Sequence, residues 1–360
     1  MQVTKNQHYV PRCLLRFFSW KSGNERRTNV YDITRDSFRY NQSIKKICSQ
    51  SYFYDKDNIV EDILSKNIET PAAPLISALV HHDTTALDVP ENWMRLISFV
   101  STLLHRTPKS LDKIDSIIQT NIQSFSHELL RLNGMDFRSA GKGRLNIKDE
   151  ATLVSLITLQ GYYASILLTD LEVNLAVNKT GLDFLISDHP VFMYNWLYRK
   201  LDHPGVTSFG SRGLQLFLPL SPKLVLCLYD PKVYKYGTKG GLLTDIYEEK
   251  DVEILNSFQA INSKSFVVFA DRKSETDIRP IIRRYGNKQL HTQRSIEGEI
   301  PTLGSEAART RHIVYSEQIK IGAMPSFVKV KRRANRSLYE IRNQEAFEYF
   351  VELTRAEHPY

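Results

Sequence analysis

The chain has 360 residues, enough for one large core or two domains. Its 42% hydrophobic and 24% charged residues are ordinary for a globular protein, which excludes wholesale disorder, and the formal net charge is +8. Three cysteines, Cys13, Cys48 and Cys227, lie far apart without CxxC spacing, so neither a disulfide framework nor a zinc knuckle is readable.

The basic excess is uneven. Residues 271–336 hold 15 Lys/Arg against 7 Asp/Glu, an excess equal to that of the whole chain. Such a stretch attracts phosphate-bearing partners or forms a solvated basic face. The first 16 residues are polar and lack an apolar signal-like run. Apolar runs are interrupted short of the roughly 18 residues a membrane span requires. A cytoplasmic protein without membrane contact is the expectation.

In chain order, Gln7-His8-Tyr9-Val10-Pro11 opens the molecule, followed by an apolar stretch to Trp20 and a turn at Ser22-Gly23-Asn24. Strands are expected at Thr28–Asp32, Phe38–Tyr40 and Tyr52–Tyr54. From Asn58 the period becomes helical, with Glu61 and Glu69 along a first helix that Pro71 and Pro74 should end. Pro90 suits helix position N1, and Thr107-Pro108 stops that helix, leaving His105 and Arg106 at its end.

Another helix is expected over 111–130, a flexible link at Ser139–Gly143, and a further helix over Glu150–Leu168. The second half reads as strands: Glu172–Asn178 and Leu182–Ile186 joined by a hairpin turn at Lys179–Gly181, then Val191–Tyr194, Leu214–Leu218, Leu224–Tyr229 and Ser265–Ala270. Helical spacing returns at Glu249–Ala260 and at Asn343–Arg355. The expected fold is α+β, with an N-terminal strand element (1–57) and a helical block (58–168) packed on a mainly antiparallel sheet (169–270). A basic C-terminal extension (271–360) ends in a helix.

Several residues are candidates for chemistry. His8 titrates near neutrality and is held by a following Val-Pro, which suits general acid/base work; otherwise His8 and Tyr9 plug the chain start into the core. Asp188, in Ser187-Asp188-His189-Pro190, stands at a strand exit, where it either caps a turn or joins Glu61 or Glu69 as ligands for Mg²⁺. Arg106 suits bidentate contact to phosphate, with His105 beside it, although a cation at a helix C-terminus also answers the dipole. Gln7, Tyr9 and Arg16 flank His8 as candidate substrate contacts. Lys329, Lys331, Arg332, Arg333 and Arg336 suit a nucleic-acid backbone or a partner protein. No GxxxxGK[ST], GxGxxG or GxSxG occurs, against P-loop, dinucleotide and serine-hydrolase readings.

The order of these motifs resembles a bacterial family of unknown function that opens with a His-Tyr-Val-Pro signature. The matching residues are His8–Pro11 with Arg16-Phe17, Ile47–Tyr54, Glu61 and Glu69, Arg106-Thr107-Pro108, Phe184–Val191, Pro219–Pro222, Asn256 and Asn262. His189 departs from the pattern, standing where the family carries Asn. The resemblance implies a component of bacterial conflict and phage defence. The expectation is a nucleic-acid-cleaving effector, RNA favoured over DNA, with a defence-system partner protein. A nucleotide- or partner-binding sensor and a small-nucleotide hydrolase are the alternatives.

Overall fold

The computed structural model describes residues 4–119, 150–201, 203, 205–237, 241–285, 291–300, 309–318, 321–334 and 337–356. Its central element is a five-stranded sheet in the order Leu243–Ile246, Glu172–Asn178, Leu224–Tyr229, Gln215–Ser221, Phe192–Tyr194. Leu243–Ile246 runs parallel to its neighbour and the other pairings are antiparallel. Side chains alternate across a strand. Leu224, Leu226 and Leu228 therefore enter one core with Leu175, Leu216 and Leu218, while Val225, Cys227 and Tyr229 enter another with Phe217 and Phe258. Helices cover the first face and Glu249–Asn262 covers the second, so Leu224–Tyr229 is buried along its whole length.

A second sheet joins distant parts of the chain. Phe266–Phe269 lies antiparallel between Glu25–Asp32 and Ile186–Ser187, and Ser37–Ser43 pairs with Glu25–Asp32. The architecture is α+β with mainly antiparallel sheets, as expected.

Several local expectations change. Tyr52–Tyr54 is not a strand; the strand is Ser49–Ser51, which pairs with Asn6–His8. Tyr52 has φ of 53°, which ends the extended run, and the Tyr54 N–H is taken by the Gln7 side chain. Lys179–Gly181 does not close a hairpin either. Asn178 accepts from the Thr180 N–H and donates to the Leu182 carbonyl, and Glu172–Asn178 pairs instead with Leu224–Tyr229.

Pro71 and Pro74 do not end the first helix. Ile59–Ile63 continues through a π-helical turn, Leu64–Glu69, into Thr70–Val80. Pro71 occupies the start of that last helix, where its missing N–H is tolerated. The expected helix over 111–130 is helical from 108 to 119, and its remainder, with Ser139–Gly143, lies outside the described residues.

The stretch from 271 onward holds further regular elements. It contains the helix Glu275–Tyr285 and a hairpin of His291–Ile300 with Arg309–Gln318, before the expected terminal helix, Gln344–Ala356. It is also bonded into the core. Val328–Val330 pairs with Tyr234–Tyr236. Arg342, 7% exposed, donates from Nε to both Asp170 oxygens at 2.9 Å and from its other nitrogens to the carbonyls of Leu167, Phe209 and Ser211.

Pro90–His105 packs against Glu150–Ala164 at Gly161. A Cβ at Gly161 would stand 2.6 Å from the His105 ring. By length and composition Glu150–Leu168 also qualifies as a membrane span, with half of that window buried in the fold. Overpacking at this approach should make Gly161→Ala about 1–3 kcal/mol less stable in urea denaturation, and His105→Ala in the same chain should recover part of that loss. Equal stability of wild type and Gly161→Ala would show that the two helices do not meet this closely.

Candidate functional site

The site starts from Gln7, whose side chain is fully buried. Its Nε2 donates to the Asp55 carbonyl and to Asp55 Oδ1, both at 2.9 Å, while Oε1 accepts from the Tyr54 N–H at 2.8 Å. Asp55 in turn accepts the Val60 N–H at the start of the first helix. One amide thus fixes the opening strand, the aromatic pair and the helix that carries Glu61 and Glu69. Gln7 is a positioning residue.

Arg106 closes this frame from the C-terminal end of Pro90–His105. It is 1% exposed, and a guanidinium so buried must be fully answered. Nε donates to the Tyr54 hydroxyl at 2.9 Å. Its Nη2 donates to Glu69 Oε1 at 2.7 Å and to the His8 carbonyl. Burial disfavours its charge, but Tyr54 and Glu69 outweigh that and hold the proton more firmly than water would. The Tyr54 hydroxyl also donates to the His8 carbonyl, at 3.2 Å. Arg106 therefore organises the site rather than standing free as the expected phosphate clamp.

Around this pair stand groups whose charge is set by burial. Glu61 Oε2 is buried without a hydrogen-bond partner among the described residues. Burial raises the Glu61 carboxyl to about 7, with Arg106 opposing and Glu69 and Asp55 reinforcing the rise. His8 is half-buried, and its Nε2 faces the Ile44 carbonyl at 3.2 Å. Burial lowers its pKa; the Ile44 carbonyl opposes this, while Arg12 and Arg106 add to it. Arg12 is exposed and within electrostatic reach of both Glu61 and His8. Cys13, beside Glu69 and Arg106, is pushed up to about 12 by burial and stays a thiol.

His8, Glu61, Glu69 and Arg106 thus share one neighbourhood, and Arg12, Tyr54 and Asp55 join them without having been singled out. Arg12 directly follows the opening motif, the one signal that could have drawn attention to it.

Asp188 has a different setting. Its Oδ1 accepts the Lys264 N–H at 2.8 Å and Oδ2 the Ser265 N–H at 2.7 Å. Burial raises it to about 6, opposed by those amides and by Lys109. Among the described residues no three His, Cys, Asp or Glu side chains stand together as a group that could hold a metal ion. Tyr9 is buried against Phe53 at 5.5 Å and lies within electrostatic reach of Asp188 and Tyr54.

Three amides on one face of Glu249–Asn262 hold the chain around Asp188. Asn256 accepts from Leu185 N–H and donates to the Asp183 carbonyl. Gln259 accepts from Ser187 and donates to the Pro190 carbonyl, and Asn262 donates to the His189 and Val191 carbonyls. His189 Nδ1 meets Thr107 Oγ1 at 2.5 Å, which ties the two family-like motifs together.

The remaining candidates lie elsewhere. His105 Nδ1 bonds the Ser101 carbonyl at 2.8 Å and its ring packs edge-on to Phe209, a core setting. The Arg16 guanidinium covers the Phe17 ring at 5.0 Å. Lys329, in the strand Val328–Val330 that pairs with Tyr234–Tyr236, is exposed, as are Lys331, Arg332 and Arg333 directly after it, and Arg336 lies outside the described residues.

Removing the Arg106 counter-ion tests the frame. Glu69→Gln should cost about 2–4 kcal/mol in urea denaturation, toward the low side for a broken buried pair because Glu69 is 23% exposed. Adding Arg106→Met should return part of it, since no buried charge is then left alone. A double variant less stable than Glu69→Gln would contradict this account.

Neither the curated proteins nor the solved structures contain a match to this chain. A family model described as "Protein of unknown function (DUF4238)" matches residues 6–273, which include the opening motif, the Arg106 frame and the amide row. The chain belongs to the DUF4238 family.

Proposed function

We propose that this protein cleaves nucleic acid, RNA in preference to DNA, as an effector in bacterial phage defence, with His8 and Glu61 as its acid–base pair. The observation that carries the reading is Glu61, a half-buried carboxyl with one oxygen unbonded among the described residues, within electrostatic reach of Arg12, Arg106 and Glu69, the same three groups that act on His8. The defence role rests on the motif resemblance alone.

The chemistry follows from which form each group holds. With Nε2–H donated to the Ile44 carbonyl, His8 keeps a lone pair on Nδ1, and burial keeps the ring neutral near pH 7. It accepts the proton of a ribose 2′-hydroxyl as that oxygen attacks phosphorus. Glu61, protonated below about 7, donates its proton to the leaving 5′-oxygen as the P–O bond breaks. Arg12 holds the phosphate oxygens, and Tyr54, Glu69 and Arg106 keep the carbonyl of His8 in place. The need for a 2′-hydroxyl is the reason RNA is favoured.

The sign of the pH dependence follows. The acid form of Glu61 is lost as pH rises through about 7, and the base form of His8 is lost as pH falls through its lowered pKa. Cleavage of total RNA should be bell-shaped with its maximum below pH 7, and folded His8→Ala and Glu61→Gln should lose it by about 10²-fold or more. Parallel lanes with Mg²⁺, Mn²⁺ and EDTA separate this route from a metal-assisted one through Glu61 and Glu69. Undiminished cleavage by folded Glu61→Gln would remove Glu61 from the reaction, and saturable binding without product would favour a sensor.

A further inference from the structure

We propose that the two-stranded ribbon of Tyr234–Tyr236 and Val328–Val330 is a docking surface for the phosphate backbone of single-stranded RNA. The choice of RNA rests on the proposed function; the surface itself stands on its own geometry. In antiparallel register Lys235 lies directly opposite Lys329. Their neighbours Tyr234, Tyr236 and Val328 are buried, so alternation sends both ammonium groups to the same solvent face. Like charges directly opposite on paired strands repel, and among the described residues no carboxylate forms an ion pair with either.

The segments 231–237 and 326–334 carry six Lys/Arg and no Asp or Glu. The Lys331 N–H donates to the Val233 carbonyl at 2.8 Å and so extends the ribbon, and its ammonium folds back on the Pro231 carbonyl. Lys232, Lys235, Lys329, Arg332 and Arg333 are exposed, and among the described residues none of them has an ion pair. By contrast, Arg212, Lys223, Lys264 and Arg342 each meet a carboxylate.

A row of cations without ion pairs among the described residues, set on a paired backbone, complements a chain of phosphates, whose binding is driven by counterion release. The ribbon also crosses the edge of the family match. Tyr234–Tyr236 lies inside residues 6–273 and its partner strand outside, so the lysine pair exists only because the later segment returns to the earlier one.

The test is fluorescence anisotropy of the full chain with a labelled single-stranded RNA, from low to moderate salt. The comparison is a Lys235→Gln, Lys329→Gln, Arg332→Gln, Arg333→Gln variant whose melting matches wild type. Loss of four phosphate contacts should weaken binding at least tenfold and lower the slope of log K against log salt by about 3. Cleavage of a dinucleotide, which offers only a single phosphate, should be unchanged. Binding and salt slope equal to wild type would overturn the proposal, as would tighter binding of phosphatidylserine vesicles than of RNA. RNA binding lost in the variant, with no cleavage by either protein, would sustain the surface and remove the nuclease reading.

Discussion

A guanidinium sealed from water is tolerated only when each exposed face of its charge meets a fixed partner, and Arg106 imposes that condition on its surroundings. Its partners come from three separate stretches: the His8 carbonyl, the Tyr54 hydroxyl and the Glu69 carboxylate. The opening strand, the turn after Ser49–Ser51 and the first helix must therefore be in register before the end of Pro90–His105 can settle. Gln7 performs the same task from the other side with a neutral amide, bonding Tyr54 and Asp55. Between them these two side chains determine where His8 and Glu61 stand.

The π turn at Leu64–Glu69 belongs to this constraint. In a regular α-helix, positions eight apart are rotated by about 80° around the axis. The wider turn slows the rotation and reduces that offset, so Glu61 and Glu69 both reach the Arg106 neighbourhood. It also leads directly into Pro71, and one irregularity serves both the imino acid and the site.

Much of the helical architecture is readable from local pattern. Pro90 and Thr107 bracket a helix because proline is at home at N1 and the Thr-Pro pair ends a run. The convergence of His8, Glu61, Glu69 and Arg106 is visible in the motif order, since family-like positions spread over a hundred residues suggest a shared place. Tyr54 and Arg12 are harder, because a contact between residues 54 and 106 leaves no trace in periodicity. The distinct setting of Asp188 is equally hidden: a strand exit before proline looks the same whether its carboxylate faces solvent or a backbone turn. The pairing of Lys235 with Lys329 depends on two strands of three residues each, too short to show alternation. Lys179–Gly181 misleads for a physical reason, as Asn178 satisfies the loop with its own side chain.

The amide row of Glu249–Asn262 has a consequence for how the molecule opens. Leu185 and Ser187 donate their backbone N–H groups to Asn256 and Gln259, not to a neighbouring strand. Their protection from hydrogen exchange therefore reports the docking of that helix, not the integrity of the sheet. Local openings follow the weakest cooperative unit. A lift of the helix would release its side-chain bonds to residues 183–191 while Leu224–Tyr229 keeps both of its partner strands, giving the fold a seam along which one layer can part from the next.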